Sequence, residues 1–202
     1  AISNAYSNEY SNVHRGLHYL SNLATDKYEN VRSIIQKFLS AEYEEEIVFT
    51  SGTTEGINLA AYAWAMEHLK NDDEIILSVM EHHANIVPWH FLRERHGIKI
   101  KWVDCDVNGN LDPQAIIDKF TDKTKLLAIT HMSNVLGTIV DVKSLCHEAR
   151  ERGIVSLVDG SQAAVHMPVN VKEIGCDFYA FTGHKLCGPS GSGAIYIKNE
   201  IQ

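Results

Sequence analysis

Phe178-Tyr179-Ala180-Phe181-Thr182-Gly183-His184-Lys185, taken with Val155-Ser156-Leu157-Val158-Asp159 upstream, decides the fold. Each stretch is an apolar run of strand length that ends in polar chemistry. The first ends in a carboxylate, the second in a hydroxyl, a glycine, a histidine and a lysine. About one crossover separates them, the spacing expected of parallel strands joined through a helix.

Working outward, five more short apolar runs read as strands, at 46–50, 74–79, 98–103, 125–130 and 193–197. Together with 154–159 and 177–181 they make seven. Helical periodicity fills most of the intervals, at 54–69, 85–95, 113–119 and 142–152. Asp112 is placed to cap the third of these, with Pro113 at its first position. Ahead of them, 21–39 repeats Ala24, Tyr28, Val31, Ile35 and Phe38 at helical spacing, with Ser21 read as the N-cap. Strands alternating with helices predict a three-layer αβα domain over 1–202 around a mostly parallel seven-stranded sheet.

Composition narrows the function classes. The 202 residues are 45% hydrophobic and 22% charged, ordinary values for a globular chain. A net charge of −8 with no basic block argues against nucleic acid or an anionic membrane as partner. No run of 18 apolar residues offers a membrane span. Cys105, Cys146, Cys176 and Cys187 form no C-x-x-C pair, which suits reduced thiols and a cytoplasmic setting. No metal site is expected, because neither Cys nor His falls at zinc-ligand spacing. The abrupt start at Ala1 and stop at Gln202 read as those of a fragment.

Parallel α/β sheets bind ligands beyond the carboxyl ends of their strands. Five polar clusters fall there: Ser51-Gly52-Thr53-Thr54, Glu81-His82-His83, His131 to Asn134, Asp159 to Gln162, and Thr182 to Lys185. Ser51 to Thr54 reads either as an anion site at a helix start or as an ordinary cap by Thr53 or Thr54. It is not a Walker motif, which disfavours an ATPase. His82 could lie on an aromatic cofactor or move a proton; a structural histidine is the plainer alternative. Asn134 is aimed at the crevice or forms a turn. Asp159 either pairs with a cationic ring or caps a helix or joins a salt bridge. A lysine for a Schiff base and an acid for a pyridine nitrogen are what pyridoxal phosphate (PLP) requires.

FTSGTTEGINL (49–59), MEHHANIVPW (80–89), AITHMSNVLGT (128–138), LVDGSQA (157–163) and CDFYAFTGHKLCGP (176–189) stand in order along the chain. They resemble the large domain of class V, fold-type-I PLP enzymes, and most of all the SUF-type (group II) cysteine desulfurases. The similarity runs from about Asn12 to the end of the chain. It implies that Lys185 holds the cofactor as a Schiff base and moves the α-proton. Asp159 would pair with the pyridine nitrogen and Gln162 with the ring hydroxyl. His82 would stack on the ring and act as acid or base, and Asn134 would lie near the substrate. Thr53, Thr54, Thr182 and His184 would bind the phosphate.

The implied activity converts L-cysteine to L-alanine and leaves the sulfur as an enzyme persulfide for iron–sulfur cluster assembly. The implied partners are a SUF-type sulfur acceptor and a second copy of the chain. Other class V activities share these motifs, among them selenocysteine lyase and cysteine sulfinate desulfinase. The family's persulfide cysteine and carboxylate-clamping arginine lie in a second half, and none of the four cysteines here matches. Cys187 is read as a packing residue. An early N-terminal segment and the small C-terminal domain are also expected to be missing, so a non-catalytic PLP- or partner-binding piece is the remaining alternative.

Overall fold

A computed structural model describes residues 1–202. Seven strands form one sheet: β1 (Ile47–Thr50), β2 (Glu74–Ser78), β3 (Lys99–Val103), β4 (Thr124–Thr130), β5 (Val155–Asp159), β6 (Phe178–Thr182) and β7 (Gly193–Ile197). Their order is β1-β7-β6-β5-β4-β2-β3. Only β7 runs against the rest, between β6 and β1. The carboxyl ends of the other six therefore share one edge, and Gly193, which begins β7, lies there too.

The period of two along each strand divides the core. Leu126, Ala128, Leu157, Phe178 and Ala180 pack on one face, while Leu127, Ile129, Val158, Tyr179 and Phe181 pack on the other. The first face is covered by α2 (Thr53–Leu59), which continues through a π-helical stretch (Ala60–Ala65), and by α3 (Val87–His96) with Trp89 and Leu92. The second face carries Leu39 of α1 (Tyr19–Leu39), Ile116 of α4 (Pro113–Ile117) and Leu145, Cys146 and Ala149 of α5 (Val142–Glu151). Fully burying a Leu or Ile side chain contributes about 1.5–3 kcal/mol. Leu157, Ile76 and Leu127 are all fully buried, so the middle of the sheet is its most strongly held part.

All seven expected strands are present, with ends displaced by one residue at most places. Asp112 caps α4 through Gln114 N as expected. Three local readings are corrected. Ser21 is not a cap: α1 starts two residues earlier, and the fully buried Ser21 hydroxyl instead donates to Asn12 O at 2.6 Å. Neither Thr53 nor Thr54 caps α2; Gly52 does, without a side-chain bond. Cys187 is exposed at φ +62°, so it does not pack. No helix is long and apolar enough to cross a membrane.

Candidate active site

At the shared edge, five strand ends enclose a cavity of about 230 Å³. Thr53, Thr54, His82, Asn134, Asp159, Gln162, Thr182, His184 and Lys185 all line it, so every candidate from the sequence is brought together. Met132 is the sole hydrophobic residue of the lining, which suits a polar, charged ligand.

Asp159 ends β5 and is 4% exposed. Its Oδ1 accepts from Ser161 N at 2.9 Å and from Ser161 Oγ at 2.6 Å. No protein donor meets Oδ2, and no lysine or arginine pairs with the carboxylate. The helix-cap and salt-bridge alternatives are thus not what the fold builds. One carboxylate oxygen is tied down and the other is left for a ligand N–H.

The turn after β1 has the make-up of an anion cradle. The amides of Thr53 and Thr54 lie in the first turn of α2, where no intrahelical acceptor exists. Thr54 Oγ1 has no partner. The close approach here depends on glycine: a Cβ on Gly193 would sit 2.6 Å from Gly52 Cα, and Gly52 itself has φ +154°. Across the cradle, Thr182 Oγ1 lies 2.8 Å from His184 Nδ1. Lys185 follows in a 3-10 turn (Gly183–Leu186) and joins none of the ion pairs of the fold.

His82 caps the 3-10 turn His83–Asn85 by accepting from Ala84 N at Nδ1, 3.1 Å away. That bond keeps the proton of the neutral ring on Nε2, the nitrogen left for the cavity. The structural and the chemical reading of His82 thus apply to different nitrogens. Asn134 lies in the turn after β4 as well as in the cavity lining; the side-chain bonds of that turn come from Ser133, whose hydroxyl accepts from Val135 N and Leu136 N at 3.3 and 3.2 Å.

Two groups escaped the sequence reading. Ser161 has no assigned role within the 159–162 cluster, yet it touches both Asp159 and Thr53. Glu81 is fully enclosed. Its Oε1 accepts from Ser78 Oγ (2.6 Å) and Thr130 N (3.0 Å), and its Oε2 from Asn85 Nδ2 (2.7 Å). Burial pushes its carboxyl up to about 7, against the pull of those donors. Its acid next to His82 was a visible signal, but burial could not be read from one position.

Comparison with known proteins settles the family. The family model for class-V aminotransferases matches residues 1–202. The chain belongs to the class-V aminotransferase family. It is 48% identical over 200 residues to the probable cysteine desulfurase of Xylella fastidiosa (strain Temecula1 / ATCC 700964), covering 99% of this chain and 48% of that protein. The apo cysteine desulfurase of Thermococcus onnurineus NA1 superposes with a TM-score of 0.92 at 41% identity, covering 98% of this chain and 49% of that one. The cysteine desulfurase CsdA (S-sulfonic acid) of Escherichia coli gives 0.90 at 39%, covering 98% and 50%. The chain therefore spans about half the length of the relatives it matches.

Class-V aminotransferases are PLP-dependent, so PLP is the group to test against the cavity. The donor set fits it. Hydroxyls and first-turn amides suit a phosphate, a half-satisfied carboxylate suits a ring N–H, and a lysine lies within the same lining.

Proposed function

We propose that this chain is the cofactor-binding half of a PLP-dependent cysteine desulfurase. The buried Asp159 carboxylate carries the reading, with one oxygen held by Ser161 and the other facing the cavity that Lys185 lines. When bound, PLP supplies an electron sink at the substrate α-carbon. Lys185 would hold the aldehyde, and its amine would move the α-proton. Asp159 Oδ2 would accept from the ring nitrogen, while Gln162 and Asn134 would orient the cofactor. Thr54, Thr182 and His184 would hold the phosphate with the Thr53 amide. His82 would offer its Nε2 proton to the reacting centre.

In the reaction proposed, the C–S bond of L-cysteine breaks as a thiolate attacks its sulfur. The carbon keeps the bonding pair and takes a proton to leave as alanine, and the new S–S bond makes the attacking thiol a persulfide. No cysteine lines the cavity. Cys146 is buried, with its thiol pushed up to about 12, and Cys176 is pushed well above its ordinary value by the same burial. We therefore place the receiving thiol outside residues 1–202. The SUF subgroup, supply of sulfur to an iron–sulfur acceptor, a cytoplasmic location and a homodimer complete the proposal. The outward apolar side chains of α1, Val31, Ile34 and Phe38, support self-association.

The test is the visible spectrum of the purified chain with PLP, before and after L-cysteine. A yellow band that shifts with cysteine and is absent in Lys185→Ala supports the reading. A Lys185→Ala spectrum identical to the parent's removes Lys185 from its role. Alanine release from cysteine, selenocysteine or cysteine sulfinate distinguishes the substrates within the class.

A further inference from the structure

Ser161 sits between two residues of the cavity that are far apart in sequence. Its Oγ is 2.6 Å from Asp159 Oδ1 and 2.7 Å from Thr53 Oγ1. A serine hydroxyl has a single hydrogen, and a carboxylate has none to give. If that hydrogen pointed at Thr53, two lone-pair-bearing oxygens would face each other at 2.6 Å. The direction is therefore fixed: Thr53 O–H donates to Ser161, and Ser161 O–H donates to Asp159. Thr53 is 6% exposed and Asp159 4%, so both ends of the arrangement are largely shielded from bulk water.

Two consequences follow for the cofactor site. Thr53 has spent its hydroxyl hydrogen and can serve an anion only through its amide, whereas Thr54 keeps a free hydroxyl. Asp159 Oδ1 takes two donors from Ser161, which leaves Oδ2 for the ligand. We propose that Ser161 is a positioning residue: its hydroxyl relays between the phosphate turn and the ring-nitrogen carboxylate, making the two ends of the PLP cradle one unit. The relay itself needs no cofactor, but its effect on PLP rests on the function proposed above.

The test is a double-substitution cycle with Ser161→Ala, Thr53→Val and both, read in two ways. In the apo chain, each single change should lower the denaturant midpoint, and the double should fall no further than the worse single. With PLP, followed by absorbance titration, Ser161→Ala should weaken affinity about tenfold, as loss of a hydrogen bond to a charged group does, and Thr53→Val by a smaller factor. The double should be no weaker than the worse single, and Ser161→Thr should restore affinity. Singles that add in the apo cycle overturn the relay. PLP affinity unchanged in Ser161→Ala, or unrestored in Ser161→Thr, overturns the positioning role. A wild-type chain that takes up no PLP overturns the functional reading and the PLP clause together, while the apo cycle still decides the relay.

Discussion

Glu81 Oε2 accepts from Asn85 Nδ2 at 2.7 Å, and the polarity of that bond is set by Trp89, four residues beyond Asn85. The Trp89 indole N–H donates to Asn85 Oδ1 at 3.0 Å, and an indole can only donate. Asn85 must then turn its NH₂ toward Glu81, so both carboxyl oxygens face donors. This chain of fixed bonds ties the His82 turn to α3 and to β4.

Glu81→Gln places an amide donor against Asn85 Nδ2, a mismatch costing about 1–3 kcal/mol. It also changes the pH dependence. With its carboxyl up at about 7 rather than the usual 4.5, native Glu81 keeps a proton that the unfolded chain has released. Wild-type stability should therefore fall by about 3 kcal/mol from this group as pH rises from 4.5 to 7. The variant should gain on the wild type by that amount over the same window in urea unfolding. A pH-independent difference would contradict it.

His131 works in the opposite sense. It is 5% exposed with Nδ1 3.0 Å from Tyr179 Oη, and burial holds it down at about 4 against the usual 6.5. Below pH 6.5 the unfolded chain takes a proton that the native chain refuses, so stability should drop by about 3 kcal/mol by pH 4. His131→Gln should remove that acid sensitivity. Unfolding midpoints of parent and variant measured between pH 4 and 7 should converge toward acid; parallel curves would count against the assignment.

Gly160→Ala should be among the most damaging small changes in the site. A Cβ there would lie 2.1 Å from the Tyr179 ring, which is itself fully buried. Relieving that overlap must move either Tyr179 or the Asp159 turn, at about 1–3 kcal/mol. Thermal unfolding and PLP uptake should both suffer; a variant with wild-type values for both would show that Tyr179 has room to yield.

Thiol labelling should follow exposure. Cys187 is exposed, Cys105 half-buried, and Cys146 and Cys176 are buried. In the native chain a maleimide should react first at Cys187, more slowly at Cys105, and with the other two only after denaturant is added. Prompt native labelling at Cys146 or Cys176 would mean that the α5 face opens.

The alternation of apolar runs and helical periods made the layers legible, because burial on both faces leaves Leu126 to Ile129 of β4 without a polar residue until Thr130. The site was legible because its chemistry is carried at strand termini, where Asp159 and Lys185 stand out against Val158 and Phe181. What could not be read depends on distant packing. Ser161 gains its meaning only from Thr53, and Glu81 only from its enclosure by Ser78, Asn85 and Thr130. The start of α1 was misplaced because Ser21 has the chemistry of a cap, while the bond it makes is to Asn12.

The pairing of β1 with β7 joins Ile47 to Tyr196 and Thr50 to Gly193. Such a pairing has a very long sequence separation, and loop closure makes contacts of that kind late to form. The turn at Ser51 to Thr54 hangs from β1, and β1 gains its sheet neighbour only when β7 is in place. Asp159 is paired to β6 without help from β7, whereas the turn at Ser51 to Thr54 reaches the sheet only through it. Competence for cofactor is thereby tied to the last strand of the sheet, and a copy without β7 should hold PLP poorly.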